Sequence, residues 1–155
     1  MKKSKVKSKS SLEVLKDLLK MYKSRVIVYN EAAKEIKGAT LRCLFSRLAQ
    51  TGKCCEEELS EEVMKRGGTF IDLNEYSNEI KMIWLSMKVA IVSNNGKAIF
   101  DSCEYEEQLF GKIYEKLLEE KQMQDIDLQM IQKQYALIKE DLGKIRNLRN
   151  VFVKA

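Results

Sequence analysis

The chain has 155 residues, a formal net charge of +5, no proline and no histidine. This length makes a single domain the default, and the absence of proline favours long helices with short connections. No apolar run approaches the roughly 18 residues that cross a bilayer, and the amino terminus lacks the apolar core of a secretory signal. The composition therefore predicts a cytoplasmic protein and argues against a membrane protein.

The positive charge is concentrated at the amino terminus. Five lysines lie there: Lys2, Lys3, Lys5, Lys7 and Lys9. The other 23 basic residues, 28 less these five, balance the 23 acidic ones. We expect residues 1–10 to be a flexible basic tail and residues 11–155 to be one four-helix-bundle domain. Because the tail has no interleaved aromatic residues or arginines, any binding of nucleic acid through it would be nonspecific and salt-sensitive.

The first two predicted helices form an antiparallel hairpin. A capping box, Ser10 with Glu13, predicts the start of the first helix, and Gly38 predicts its end in a left-handed turn. Its apolar stripe is Leu12, Leu15, Leu19, Tyr22, Val26, Tyr29, Ala33 and Ile36. The face of the second helix is Leu41, Leu44, Leu48, Gly52, Cys55, Leu59 and Val63. That helix ends at Gly67-Gly68.

A shorter helix is predicted between this hairpin and a second one. It begins after Asp72 and is broken at Asn94-Asn95-Gly96. Its apolar side is Tyr76, Ile80, Ile83, Trp84, Met87 and Ile91. The next long helix shows Ile99, Cys103, Glu107, Phe110, Tyr114 and Leu117. After a break around Gln124-Asp125, the last helix shows Leu128, Ile131, Tyr135, Ile138, Leu142, Ile145 and Phe152.

These elements predict an all-α fold in which two antiparallel hairpins are joined by a long crossover that contains the shorter helix. The runs at 29–36 (YNEAAKEI) and 44–49 (LFSRLA) resemble the first hairpin of rubrerythrin-type proteins. Over about Ser11 to Phe152, the chain resembles an uncharacterised bacterial family of ferritin-like four-helix bundles, defined as a domain of unknown function. The residues that carry this resemblance are 66–68 (RGG), Trp84 in the crossover, 103–107 (CEYEE) before Tyr114, and 145–150 (IRNLRN).

The resemblance implies a di-iron site built from two single glutamates and two Glu-x-x-His pairs. In the predicted register the six ligand positions hold Tyr22, Gly52, Cys55, Glu107, Lys139 and Leu142. Only Glu107 matches, and no register can supply a histidine. The resemblance therefore implies a degenerate site, with no metal, no cofactor and no catalytic residue.

Two interpretations of Glu107 remain open. It interrupts an otherwise apolar stripe, where an unpaired charge is costly. One interpretation turns the carboxylate to the helix edge and into water. The other buries it beside Tyr22, Tyr29 or Lys139.

Gly52 and the cysteines also have alternative interpretations. Gly52 costs about 1 kcal/mol relative to alanine inside a helix. It would either allow two helices to approach closely or leave a small cavity. The cysteines are Cys43, Cys54, Cys55 and Cys103. Their spacing is not that of a zinc ribbon, so we expect them to be reduced and buried, with a redox role for the adjacent Cys54 and Cys55 as the alternative.

The sequence contains no phosphate-binding glycine loop, no nucleophile–base pair and no Glu-x-x-His motif. We therefore predict a non-enzymatic bundle that acts through self-association or protein partners. The alternative is a metal-binding or redox bundle that uses Glu107 with nearby carboxylates and Cys55. Apolar residues outside the main stripes predict a homodimer. They include Ile27, Val28, Met82, Leu109 and Leu118.

Overall fold

A computed structural model describes residues 10–68, 78–119 and 127–154. These residues form five α-helices and no strand, which confirms the all-α prediction. The helices are α1 (Ser11–Glu35), α2 (Ala39–Lys65), α3 (Asn78–Val92), α4 (Gly96–Glu119) and α5 (Leu128–Lys154). Most of the predicted tail, the predicted helix start after Asp72 with Tyr76, and the predicted break at Gln124-Asp125 lie outside the described residues.

The two ends of α1 are determined differently. At the start, Ser10 Oγ accepts the backbone N–H of Glu13 at 3.2 Å, and Glu13 Oε1 accepts that of Ser10 at 3.1 Å. This is the predicted capping box. At the other end the helix stops before Ile36, whose backbone is extended and whose side chain is buried in the core. Gly38 has a φ of −81°, so the predicted left-handed turn at Gly38 is wrong.

The predicted ends of α2 and α3 are confirmed. Gly67 adopts a left-handed φ of 83°, and the N–H of Gly68 returns to a carbonyl of the last turn of α2 at 2.9 Å. Asn94 adopts a φ of 52° after α3. The Asn95 side chain then accepts a free backbone N–H at the start of α4, at 3.1 Å. The short connection 93–95 thus ends one helix and caps the next.

The four long helices form two antiparallel hairpins. α1 pairs with α2, α4 pairs with α5, and α2 lies against α5. Gln134 of α5 bonds both to Glu58 in the second half of α2 and to Tyr114 in the second half of α4, so α2 and α4 run in the same direction. The chain must therefore travel back along the bundle between them. The predicted shorter helix, α3, lies in this connection and packs between α1 and α4.

Two apolar clusters fill the interior, one on each side of a polar layer. One cluster contains Tyr22, Leu59, Phe110 and Ile138. The other contains Tyr29, Leu48, Cys103 and Ile145. The residues between them define the polar layer: Arg25 on α1, Gly52 on α2, Glu106 and Glu107 on α4, and Asp141 on α5. Each long helix thus contributes to the polar layer near its middle.

The inward face of α5 differs from the prediction. Its buried residues are Ile131, Gln134, Ile138, Asp141 and Ile145. Tyr135 and Leu142 are only partly buried, Lys139 is exposed, and Leu128 and Phe152 are 45% and 42% exposed. The predicted placement of Lys139 and Leu142 in the core is therefore wrong. The buried residues of α5 follow one another at alternating steps of three and four residues once Gln134 and Asp141 are included.

α3 is apolar on both sides. Its inner side is Ile80, Ile83, Met87 and Ala90, all buried against α1 and α4. Its opposite side, here called the outer stripe, consists of Met82, Leu85, Val89 and Val92, which are 64%, 56%, 68% and 87% exposed. Of the other residues predicted to lie outside the main stripes, Ile27 and Leu118 are exposed, whereas Val28 is buried and Leu109 partly buried.

The described helices do not meet the requirements of a membrane-spanning helix. Within residues 10–68, 78–119 and 127–154, none combines the length and the apolar content needed to cross a bilayer.

Candidate functional site

A buried arginine lies at the centre of the polar layer. Arg25 is completely withdrawn from solvent. Because residues three or four apart share a helix face, Tyr22 and Tyr29 flank it on α1, and its guanidinium carbon lies 5.9 and 5.6 Å from their ring centroids. The ring of Phe110 on α4 lies at 5.3 Å. These three aromatic rings surround the guanidinium within the range of cation–π attraction.

The guanidinium binds groups from the three other long helices. Nη1 lies 2.8 Å from Oε2 of Glu107 and donates to Oε1 at 3.1 Å. Nη2 donates to Asp141 at 3.2 Å, and Nε donates to the backbone carbonyl of Leu48 at 3.1 Å. Asp141 also accepts from Arg47 of α2 at 3.0 Å. One arginine therefore joins all four long helices through charge-assisted hydrogen bonds.

Gly52 lies where α2 approaches Val26 and Arg25 of α1 closely. A Cβ at this position would lie 3.1 Å from Cγ2 of Val26 and 3.4 Å from Cδ of Arg25. The absence of a side chain thus allows α1 and α2 to approach closely where Arg25 reaches the carbonyl of Leu48. Of the two interpretations of Gly52, the structure supports close helix approach.

Glu106 is also a buried carboxyl group, but unlike Glu107 it has no hydrogen bond. Both of its oxygens are buried, and neither they nor the hydroxyl of Tyr29 has a partner of normal hydrogen-bond geometry. Burial raises the pKa of Glu106 to about 7 and that of Glu107 to about 8, while Arg25 opposes both increases. Although burial raises the pKa of Glu107 further, we assign the proton to Glu106, because Glu107 pairs with the permanent positive charge of Arg25 at 2.8 Å, whereas neither oxygen of Glu106 has a hydrogen-bond partner.

This assignment leaves two carboxylates in the polar layer, Glu107 and Asp141, against the one positive charge of Arg25, and Arg47 at the edge of the layer supplies the second positive charge. With Glu106 protonated, the guanidinium groups of Arg25 and Arg47 face the carboxylates of Glu107 and Asp141. Arg47 also reaches Glu140 at the surface, at 2.6 Å. The charge of the layer is thus balanced by groups of the chain itself.

A chain of hydrogen bonds leads from the core to the surface. Tyr114 donates to Oε1 of Gln134 at 2.7 Å, so the 2.7 Å bond between the Tyr22 and Tyr114 hydroxyls has Tyr22 as its donor. Gln134 Nε2 donates to Glu58 at 3.0 Å, and Glu58 also binds Lys133. From Tyr22 through Tyr114 and Gln134 to Glu58, each group donates its hydrogen bond to the next group towards the surface. The hydroxyl of Tyr22 is therefore bound to Tyr114 and not, as expected, to Glu107.

The structure places the predicted site residues in several environments. Tyr22, Cys55 and Glu107 are buried, so the interpretation that Glu107 reaches water is wrong, and its buried partner is Arg25. Lys139 lies at the surface with Nζ 4.3 Å from the centre of the Tyr135 ring. Trp84 is partly buried on α3 and touches both apolar clusters.

The four cysteines are free thiols in two environments. Cys55 and Cys103 are buried, as expected, whereas Cys43 and Cys54 are exposed, which contradicts the prediction for these two. Cys43 and Cys54 lie on the solvent-facing side of α2, because the inward face of this helix passes through Leu44, Leu48 and Cys55. Burial raises the pKa of Cys55 to about 11 and raises that of Cys103 further.

The sequence interpretation missed Arg25, Glu106, Gln134 and Asp141, although all four are buried. Each lies at a three- or four-residue step from buried apolar neighbours. A polar residue at such a position is not expected in the core, because charged side chains are rarely buried without a partner. The available signal was that an arginine and three acidic residues fall at the same level of a four-helix bundle.

No three cysteine or carboxylate side chains are placed to hold one metal ion in the part of the chain that the structure describes. No curated protein and no solved structure matches the chain. A family model described as "Domain of unknown function (DUF2383)" matches residues 10–120, which include α1 to α4. The match agrees with the expected family of unknown function, but it ends before α5. The chain belongs to the DUF2383 family.

Proposed function

We propose that this chain is a non-enzymatic, ferritin-like helical bundle that acts by associating with protein, either a second copy or a different partner. The observation that carries the proposal is the outer stripe of α3. A helix that is apolar on both sides is typically buried on both sides. In the described residues, the chain covers only the inner side of α3. A protein surface on the outer stripe would complete the burial.

The helix directions support the ferritin-like part of the proposal. In such bundles two antiparallel hairpins are joined by one long crossover, and here α3 lies in the connection between α2 and α4, which run the same way. The polar layer also lies in the core between facing helices, where bundles of this kind build their metal sites.

The residues of the polar layer do not fit a di-iron centre. The chain has no histidine, and Glu107 and Asp141 are already bound to Arg25. A metal ion beside them would meet a guanidinium that stays protonated at any ordinary pH. We therefore propose that Arg25 supplies the positive charge that a metal supplies in a ferritin-like site, and we derive no redox or hydrolytic step.

The alternative of a metal or redox site at Glu107 and Cys55 is less well supported. Glu107 is held by Arg25. The raised pKa of Cys55 keeps its sulfur as a thiol near neutral pH, whereas the thiolate is the form that binds metal or attacks. Neither group is therefore available in the form that such chemistry requires.

Site-specific photo-crosslinking in cells tests the proposed association. A photoreactive amino acid replaces Leu85 in the outer stripe, and a matched variant carries it at Ile27, an exposed apolar residue of α1 that is 40% exposed. We expect a discrete protein adduct from position 85 and none from position 27. No adduct at position 85, or the same adducts from both positions, would contradict the proposal.

A further inference from the structure

The outer stripe of α3 has the spacing of a two-stranded coiled coil. Met82, Leu85, Val89 and Val92 follow one another at steps of three, four and three residues, the spacing of successive a and d positions. Of the eleven exposed large hydrophobic side chains in the described residues, these four lie together on one 15-residue helix. Exposed apolar side chains that are scattered singly need no explanation, but a continuous stripe marks an interaction surface.

We infer that the outer stripe binds the outer stripe of a second copy of this chain, with the two α3 helices parallel. This inference rests on the proposed function, because it names the occupant of the same surface. A two-fold dimer needs a self-complementary surface, and a stripe of a and d positions meets that requirement. With Met82 at a, the next positions place Leu85 at d and the β-branched Val89 at a. Within parallel coiled coils, a β-branched residue at a with leucine at d favours two strands over three or four, although the second d position holds Val92.

The residues beside the stripe support the same orientation. Lys81 and Lys88 lie along one edge, at g positions, and Ser86 lies along the other, at an e position, with Ser93 following in the turn after α3. In a parallel pair the g edge of each helix faces the e edge of its partner, so lysines would face serines. In an antiparallel pair centred on the stripe, the g edges face each other and the two Lys88 side chains would meet. Like charges so placed are unfavourable.

A lipid surface fits these edges less well. Interfacial helices carry lysine or arginine across a strongly charged polar face. α3 instead has lysines on one edge only, and its opposite side is packed in the core. Lys88 also lies 5.5 Å from the centre of the Trp84 ring, beside the core. We therefore assign the stripe to a protein copy and use vesicles of anionic phospholipid as a control.

Sedimentation of the purified full-length chain, from low to high micromolar concentration, tests the dimer. We expect a monomer–dimer equilibrium whose dissociation constant rises at least about a hundredfold in the L85K/V89K variant, since four charged groups would enter the contact. The I27K variant should sediment like the wild type. Both variants place lysine at exposed positions, so circular dichroism should show unchanged helix content.

Disulfide formation tests the orientation, in a C43S/C54S background that removes the exposed thiols. V92C alone should crosslink to itself on mild oxidation, because parallel helices bring equal positions together. An antiparallel pair would instead crosslink only when V92C is mixed with M82C, and this result would overturn the parallel arrangement.

Three further outcomes overturn the inference, and they separate it from the proposed function. A wild-type chain that stays monomeric throughout the concentration range excludes the dimer, whether or not cells yield a different protein adduct at position 85. A dimer that L85K/V89K leaves intact excludes the outer stripe. Cosedimentation with anionic vesicles that is lost in L85K/V89K, together with a monomeric chain in solution, assigns the stripe to lipid.

Discussion

Arg25 Nη1 lies 2.8 Å from Oε2 of Glu107, and both side chains are completely buried. In a low-dielectric interior this pair is stable only because each charge has the other, and because Asp141 and the Leu48 carbonyl satisfy the remaining guanidinium donors. The two residues belong to different hairpins, on α1 and α4. This ion pair therefore connects the two halves of the molecule.

Removing Arg25 alone should be strongly destabilising. R25M leaves the buried carboxylate of Glu107 without a partner and removes one of the two partners of Asp141, and we expect a loss of about 3–5 kcal/mol in the free energy of unfolding near pH 8. The double variant R25M/E107L should recover most of that loss, because Asp141 keeps Arg47 as its partner. Chemical denaturation of both variants measures the difference. Equal stability of R25M and the wild type would contradict the role given to the pair.

E106Q should make stability less dependent on pH. The pKa of Glu106 is raised from an ordinary value near 4.5 to about 7, so the folded state binds a proton that the unfolded state releases. Its contribution to stability is present below pH 4.5 and is lost as the pH rises through 7. We therefore expect E106Q to exceed the wild type by up to about 3 kcal/mol at pH 8, and by much less at pH 4.5. Denaturation at the two pH values tests this, and a constant difference would exclude titration of Glu106.

Glycine-to-alanine substitutions should separate packing from helix propensity. Alanine stabilises a helix interior by about 1 kcal/mol relative to glycine. G143A on α5 should show this gain, since nothing lies within 4 Å of its new Cβ. G52A should gain less, because its Cβ would lie 3.1 Å from Val26 Cγ2, and the valine side chain would have to move by a few tenths of an ångström. Thermal unfolding of both variants compares them, and an equal gain would mean that the close approach at Gly52 has no cost.

Thiol labelling should divide the four cysteines into two pairs. Cys43 and Cys54 are exposed, whereas Cys55 and Cys103 are buried and have raised pKa values. An aromatic disulfide reagent at pH 8 should modify two thiols rapidly and the other two only on unfolding. Rapid reaction of a third thiol in the native protein would show that one of the buried sites opens.

The polar layer should not retain iron. The positive charge of Arg25 lies where a metal would have to bind Glu107 and Asp141. Protein purified from cells grown with added iron should therefore contain much less than one iron per chain, and it should not accelerate oxidation of ferrous iron. Elemental analysis measures the first property and oxygen consumption the second. One iron per chain that resists mild chelation would refute the exclusion.

Local signals in the sequence were sufficient for most of the fold. The capping box at Ser10, the left-handed Gly67 and the break at Asn94 each depend on residues adjacent in sequence, and the predictions there are confirmed. The prediction at Gly38 is wrong: α1 ends at Glu35, and the next residue, Ile36, has an extended backbone and a side chain buried by tertiary contacts. Short-range chemistry can be predicted from the sequence, whereas competition with core packing cannot.

The site was less predictable because its polar residues lie where apolar ones are expected. On α5 the apolar residues alone suggest a face through Tyr135 and Leu142, and only Gln134 and Asp141 correct the register. On α1, Val26 fits the stripe as well as Arg25 does, and a long basic side chain normally reaches solvent. The burial of Arg25 becomes evident only when Glu107 and Asp141 are seen to face it across the bundle.

The polar layer also restricts how the helices can slide past one another. A shift of α1 by one turn, about 5.4 Å, would carry Arg25 past Glu107 and into one of the apolar clusters, where the guanidinium would find no carboxylate. The apolar side chains alone would tolerate this shift better, because leucines and tyrosines recur at each turn. An unpaired buried charge does not tolerate it. We therefore expect the polar layer to fix the axial register of the four helices. It would exclude bundles with a shifted register, which would otherwise bury a similar apolar surface.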